Sequence, residues 1–438
     1  MRRALDLLRG GRLGAAMAQP LLYVVLDGLG DDPVPDLGDR TPLEAAETPH
    51  LDRLAGEGAL GLCTTVGEGV APESDVAVMS LLGFDPAIDH PGRGPVEALG
   101  AGMEFHDGDV AWRCNFATVD DYPNLVDRRA GRDLTLEEAE ELAREVNEQI
   151  ELPAATFELQ ATVGHRAALV IRTRHSPLRP VTNTDPAYRR EGSIGHALAK
   201  FDMRIEEARV VEGEEDDEGA VRAAELTNLL SRRIHEVLDA SPVNTRRREE
   251  GRLPANALLF RDAGSRVPAH LEPIGKRFAR SFGCFVEMPV EAGISRMVGM
   301  SEVEVPGAGD DPAEQYGQWA QQARESIRRF DALYVHIKGP DIPAHDGDAE
   351  AKRDVIAAID AAFFGELGGV VDDVTLLVTA DHATSSVRAA HTDDPVPYLV
   401  RGPVEADDTR EFSEPAAREG SLPHLQGPEL LPWVLDLT

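Results

Sequence analysis

Residues 21–27 read LLYVVLD, six consecutive apolar side chains closed by an aspartate. A short apolar run without polar alternation is the pattern of a strand buried on both faces, as in a parallel sheet. Two further runs repeat it: ALYVHI at 332–337, with Asp341 four residues on, and VTLLV at 374–378, with Asp381 three residues on. Ligands in open α/β sheets bind beyond the carboxyl ends of the strands. Asp27, Asp341 and Asp381 are therefore expected to converge, although hundreds of residues separate them.

Helical patterns at 42–56, 135–151, 218–239, 315–330 and 349–365 alternate with these strands. That alternation predicts an α/β fold, a mostly parallel sheet with helices on both faces. The middle of the chain differs. It holds strand-like pieces (VAWRCNFATV, RAALVIRT), an acidic stretch (EGEEDDEG) read as a solvated loop, and TRRREEGR, read as a charged loop. We read 106–264 as a smaller α/β (α+β) domain inserted into a discontinuous one made of 20–105 and 265–438. Residues 1–19 are expected to be a disordered extension. Asp6, Arg9 and Arg12 interrupt any signal-peptide core, and translation from Met17 is the alternative to Met1.

The chain carries 78 acidic and 44 basic residues, a net charge of -34. That field repels nucleic acid and anionic membranes, so neither is an expected partner. A cytoplasmic monomer or homo-oligomer is expected, and a small anionic substrate would have to overcome this field to reach the protein. Such a substrate needs local positive charge, and metal ions with clustered arginines would supply it. Only four of the cations are lysines: Lys200, Lys276, Lys338 and Lys352. Cys63, Cys114 and Cys284 are odd in number and far apart, which fits reduced buried thiols better than a disulfide or zinc framework. No apolar run reaches the roughly 18 residues of a membrane span.

Three segments carry candidate chemistry. In KGPDIPAHDGD at 338–348, Asp341 and His345 stand four apart, so one turn aims both at one centre. Carboxylate and imidazole together suit a borderline divalent cation, although surface pairs at this spacing are common. VTADHATSS followed by HTDDPVPYLV places Asp381 and His382 at a strand end and His391 nine residues later. These could ligate two neighbouring metals or be exposed loop residues. In APESDVAVMSLLGFDP, Ser74 opens an apolar helical run, where free N–H groups suit a phosphorylated side chain. Ser74 or Asp75 as a plain helix cap is the competing reading.

Taken together, the blocks VVLDGLGD, TPLEAAETPHLDRLAGEGALG, SDVAVMSLLGFDP, GRGPVEALGAG, DVAWRCNFATV, VDRRAGR, PANALLFRDAG, HIKGPDIPAHDGDAEAK, DH and HTDDPVP resemble the archaeal-type cofactor-independent phosphoglycerate mutases of the alkaline phosphatase superfamily, from residue 20 onward. The resemblance implies one metal held by Asp341, His345 and His391, and a second held by Asp27, Asp381, His382 and the Ser74 hydroxyl. It implies Mn2+ first, with Mg2+ or Zn2+ as alternatives, and no need for 2,3-bisphosphoglycerate. It further implies that Ser74 takes the phosphoryl group as phosphoserine while an arginine-rich inserted domain holds the glycerate. Arg93, Arg113, Asp127, Arg128, Arg129, Arg132, His165, Arg166 and Lys338 are the candidates for substrate binding. For the arginines the competing reading is solvated surface charge.

Three positions depart from the family pattern: Glu73 in place of a glycine, Val78 in place of a histidine, and Ala292 in place of a lysine. Glu73 reads as an added negative charge beside a phosphate site, and Arg296 or Lys338 as a replacement for the lysine. A phosphohydrolase, or a mutase of another phosphorylated or phosphonylated small acid, is therefore the alternative function. A metal-binding scaffold without activity is disfavoured because all seven candidate ligands are present.

Overall fold

The computed structural model describes residues 19–438 except 175, 192, 193, 199 and 308–311. All but the last residue of the expected N-terminal extension lies outside the described residues. Eight strands form the main sheet, in the order Ser301–Glu302, Phe282–Phe285, Ala332–Ile337, Leu21–Leu26, Thr375–Thr379, Val396–Arg401, Ala59–Thr64, Leu425–Gln426. The first five are mutually parallel, and Val396–Arg401 runs antiparallel to both its neighbours. Every residue of Leu21–Leu26 is buried, as an unalternating run requires of a central strand. Burying one such Leu or Val contributes roughly 1.5–3 kcal/mol.

Register fixes the functional end of the sheet. Leu26 stands beside Ile337, and Val25 beside Thr379. Asp27, Asp341 and Asp381 thus leave the carboxyl ends of three adjacent strands at nearly one level.

The second sheet is antiparallel. Val110–Val119 pairs with Arg166–Thr173, with Ala257–Gly264 and, at its end, with Leu125–Asp127; Ala155–Ala161 closes the far side. Helices Leu136–Gln149 and Glu218–Ala240 bury their apolar faces in the same core as Trp112, Phe116 and Phe260. That core draws on residues 110–263, whereas the core around the main sheet draws on 21–96 and 274–435.

Several expectations shift. The helix expected over 42–56 is two, Pro42–Ala45 and Pro49–Gly56, because Pro49 keeps Thr48 out of helical geometry and starts a new helix. The 349–365 pattern is helical throughout but not uniform: Ala349–Ile359 is α-helical, Asp360–Phe364 widens to a π-helical turn, and Gly365–Leu367 is α-helical again. TRRREEGR is not a charged loop: Pro242–Glu249 is a helix, and Arg247 within it is fully buried. Arg247 donates to Glu138 at 2.7 Å, to Asp133 at 2.6 Å and to the Leu253 carbonyl at 2.9 Å. Full pairing makes burial of that charge tolerable. All three cysteines are free and buried. Among the described residues no helix is long and apolar enough to cross a membrane.

Candidate active site

At the carboxyl ends of the three central strands, two sets of side chains meet. Asp341 and His345 share the five-residue helix Asp341–His345, whose pitch puts both on one face. His345 Nε2 lies 3.4 Å from Asp341 Oδ1, and His391 Nε2 lies 3.7 Å from the same oxygen. The two Nε2 atoms are 3.0 Å apart. His391 Nδ1 is 2.7 Å from the Pro72 carbonyl, which only accepts, so Nδ1 carries the proton and Nε2 presents its lone pair.

In the second set each carboxylate anchors one oxygen and offers the other. Asp381 Oδ1 accepts the Gly28 and His382 amides, at 3.1 and 3.0 Å. Asp27 Oδ2 accepts from His336 Nε2 and Lys338 Nζ, at 2.8 and 2.7 Å. Asp381 Oδ2 and Asp27 Oδ1 are buried without a hydrogen-bond partner. His382 Nε2 lies 3.2 and 3.5 Å from these two oxygens and 3.2 Å from Ser74 Oγ.

Electrostatics point the same way. Burial and the neighbouring Asp27 push the Asp381 carboxyl up, while burial followed by His391 pulls His382 down to about 3. Burial would raise Asp27 too, but Lys338, His336 and His382 hold it well below the usual carboxylate range. Two orphaned carboxylate oxygens, three imidazoles and a serine hydroxyl in one crevice fit divalent cations. Groups Asp341–His345–His391, Asp27–His336–Asp381 and Asp27–Asp341–His382 each bring their ligand atoms within 4.8 Å of one another.

Ser74 is the first residue of the helix Ser74–Leu81; Glu73 occupies the cap position and makes no side-chain cap bond. The Ser74 hydroxyl is thus free of capping and turned toward His382. Next to it, His90 Nδ1 accepts from the Gly92 amide at 3.1 Å, so its protonated Nε2 faces Asp75 Oδ2 at 3.1 Å. Arg93 donates to Glu73 at 2.8 Å and lies 3.5 Å from Asp75. Glu73 is therefore not an uncompensated charge beside the site but one arm of a clamp on the helix start.

Across from this clamp stands a concentration of arginines. Arg113 and Arg261 are register partners on antiparallel strands, both buried, and the Nε of each lacks a hydrogen-bond partner. Glu97 lies 3.6 Å from Arg113 and Asp262 lies 3.6 Å from Arg261, yet like charges directly opposite in a sheet stay unfavourable until further anionic charge reaches them. Burial, Arg261 and Arg93 pull the Arg113 guanidinium below its usual range. His165 is pulled down to about 3 by burial and by Arg166, Arg129, Arg113 and Arg132, which places it in the same field. Glu73 feels both Arg113 and His391, so the arginines and the metal-ligand sets flank one crevice.

Other candidates are placed elsewhere in the network. Arg128 forms a two-pronged pair with the buried Asp185, at 2.9 and 2.6 Å. Asp127 accepts the backbone amides of Arg129 and Gly131 and shapes their turn, while Arg132 is exposed. Lys338 bridges Asp27 Oδ2 and Asp341 Oδ2, at 2.7 and 2.9 Å. Arg296 does not replace the lysine: Glu302 engages it at 2.6 and 2.9 Å, and it also donates to the carbonyls of Leu99 and Gly100.

Sequence reading missed His336, Arg261, Tyr188 and Thr384. A histidine inside the apolar run ALYVHI was a usable signal for His336, and the block PANALLFRDAG held Arg261. Tyr188, whose ring lies 3.8 Å beneath the Arg261 guanidinium, gave none.

Comparison with known proteins identifies the family. Residues 55–244 match the family model described as 2,3-bisphosphoglycerate-independent phosphoglycerate mutase. A protein of that name from Aeropyrum pernix is 41% identical, covering 95% of this chain and 99% of the relative. Its namesake from Methanopyrus kandleri is 38% identical, covering 96% and 97%. The cofactor-independent phosphoglycerate mutase structure from Thermoplasma acidophilum shares 32% identity with a TM-score of 0.63, covering 96% of this chain and 99% of that one. A Pyrococcus horikoshii protein of 28% identity has a TM-score of 0.78, covering 96% and 97%. The chain belongs to the 2,3-bisphosphoglycerate-independent phosphoglycerate mutase family.

Proposed function

We propose that this protein interconverts 3-phosphoglycerate and 2-phosphoglycerate by passing the phosphoryl group through Ser74, without 2,3-bisphosphoglycerate. The observation that carries the proposal is Ser74 Oγ, 3.2 Å from His382 Nε2, set between orphaned carboxylate oxygens and a paired-arginine wall. Ser74 Oγ gives up its proton and forms a bond to phosphorus as the bond from phosphorus to the 3-oxygen of glycerate breaks, and that oxygen takes up a proton to leave as a hydroxyl. The reverse attack, by the 2-hydroxyl, returns the phosphoryl group and regenerates the serine. Between the two steps the glycerate turns while Arg113, Arg166 and Arg261 keep hold of its carboxylate through planar forks.

Asp341, His345 and His391 would hold one divalent cation, and Asp27, Asp381, His382 and Ser74 the other, manganese being our first choice ahead of magnesium or zinc. Bound there, such cations lower the serine hydroxyl's pKa and neutralise phosphate charge. Arg93, clamped to Glu73 and Asp75, fixes the helix whose first residue is the nucleophile. The separate hydrophobic cores support reading 106–264 as the inserted substrate-holding domain and 20–105 with 265–438 as the cation-binding one. The acidic surface supports an enzyme without nucleic-acid or membrane partners, and three free, buried cysteines support a cytoplasmic one.

An enolase-coupled assay of the manganese-loaded protein tests the function directly. We expect 2-phosphoglycerate from 3-phosphoglycerate, phosphoserine at Ser74 by mass spectrometry, and neither in Ser74→Ala. Inorganic phosphate appearing faster than 2-phosphoglycerate would replace the mutase reading with a hydrolase.

A further inference from the structure

Thr384 lies in the short strand Ala383–Ser385 and is fully buried. That strand pairs with Ala390–Thr392 so that Thr384 stands directly across from His391. Its backbone is tied at both polar ends. The amide donates to the Gly30 carbonyl at 2.9 Å, and the carbonyl accepts from the buried Lys352 at 2.8 Å. Lys352 also donates to Gly30 and Asp31, each at 2.9 Å, joining the loop after Asp27 to the loop after His382.

The Thr384 hydroxyl oxygen is 2.7 Å from Asp341 Oδ1 and 3.1 Å from His382 Nδ1. A hydroxyl has one proton to give, and an ionised carboxylate only accepts. The proton therefore goes to Asp341, and the threonine oxygen is left to accept from His382. This order requires His382 to be protonated at Nδ1, leaving the Nε2 lone pair toward Ser74, Asp381 and Asp27. One hydroxyl thus orients a ligand of one candidate metal set and fixes the tautomer of a ligand in the other.

Gly28 closes the third side. A Cβ there would stand 2.6 Å from the Thr384 hydroxyl oxygen and 2.7 Å from Asp341 Oδ1, and φ is +62°. Only glycine lets the chain leave Asp27 while lying against this bond.

We propose that Thr384 is a positioning residue that couples the two metal sites, so that losing its hydroxyl weakens divalent-cation binding at both. The proposal rests on the two-cation reading above. Removing a hydrogen-bond partner of a metal ligand typically costs about 10–100-fold in metal affinity.

The test is calorimetric Mn2+ titration of the full-length, metal-stripped protein, with free Mn2+ followed by electron paramagnetic resonance. Wild type should take up two Mn2+ per chain. Thr384→Val, which keeps the shape without the hydroxyl, should lower both stepwise association constants by roughly 10-fold or more. Thr384→Ser should restore both to within about threefold, as a role of the hydroxyl rather than of packing requires. If the valine variant does not fold, Thr384→Ala gives the same reading. Loss at one site only, loss at neither, or a serine variant as weak as the valine variant overturns the coupling. Fewer than two Mn2+ bound by wild type overturns the two-cation reading itself, and the coupling with it.

Discussion

His336 offers the sharpest pH test of the buried network around Asp27. It is nearly inaccessible to solvent and lies 2.8 Å from Asp27 Oδ2, with its other nitrogen 2.8 Å from the Tyr334 hydroxyl. Burial lowers its pKa, but the hydrogen bond and charge of Asp27, with Glu291 and Asp381 beyond, outweigh burial and raise it from 6.5 to about 9. The folded value is above the unfolded one. The stabilisation is therefore complete below about pH 6.5 and is lost as pH rises through about 9. At about 1.36 kcal/mol per pH unit the full gap is worth roughly 3 kcal/mol. Lys338 shares the Asp27 carboxylate and keeps part of the attraction, so about 1–3 kcal/mol is the expected loss. Urea unfolding of chelator-stripped protein at pH 6.5 and 9.5, beside His336→Gln, measures it. Glutamine keeps a donor near Nε2 but no titrating charge. Thiols and lysines titrate in both proteins and cancel in the difference. Equal losses in wild type and variant would refute the reasoning.

Two further outcomes follow from buried arginines. Arg247→Met should destabilise the fold by about 2–4 kcal/mol in urea unfolding, below the full cost of a broken buried pair. The discount arises because Arg252 still reaches Asp133 and Glu138; a loss under about 0.5 kcal/mol would contradict the role assigned to Arg247. Arg261→Met removes one of two facing guanidinia and should cut kcat/KM for 3-phosphoglycerate about 10- to 150-fold, from about 1.5–3 kcal/mol of charge-assisted hydrogen bonding. Activity within twofold of wild type would remove Arg261 from the substrate wall.

The strand ends were legible because an unalternating apolar run has one stable place, the middle of a sheet covered on both faces. LLYVVL, ALYVHI and VTLLV could be read that way without knowing their neighbours, and the aspartates after them inherited a position. Arginine roles were not legible. A guanidinium in a charged segment looks the same whether it is solvated, paired or held for a ligand, and only distance to a partner decides. Arg247, inside TRRREEGR, is buried and fully paired. Arg128 goes to Asp185, 57 residues away, while Arg113 and Arg261 face each other across 148 residues of chain.

Sequence alone determined the strand-and-helix alternation, the three converging aspartates and the histidines that accompany them, because each is a local pattern of polarity. Tertiary structure alone decided which oxygen of each carboxylate is anchored and which is offered, and which nitrogen of His382 and His391 carries a proton. It also turned Glu73 from a liability into a partner of Arg93. Those are questions of hydrogen-bond direction between residues up to several hundred positions apart. No periodicity in the chain encodes them until folding brings the partners within about 3 Å of one another.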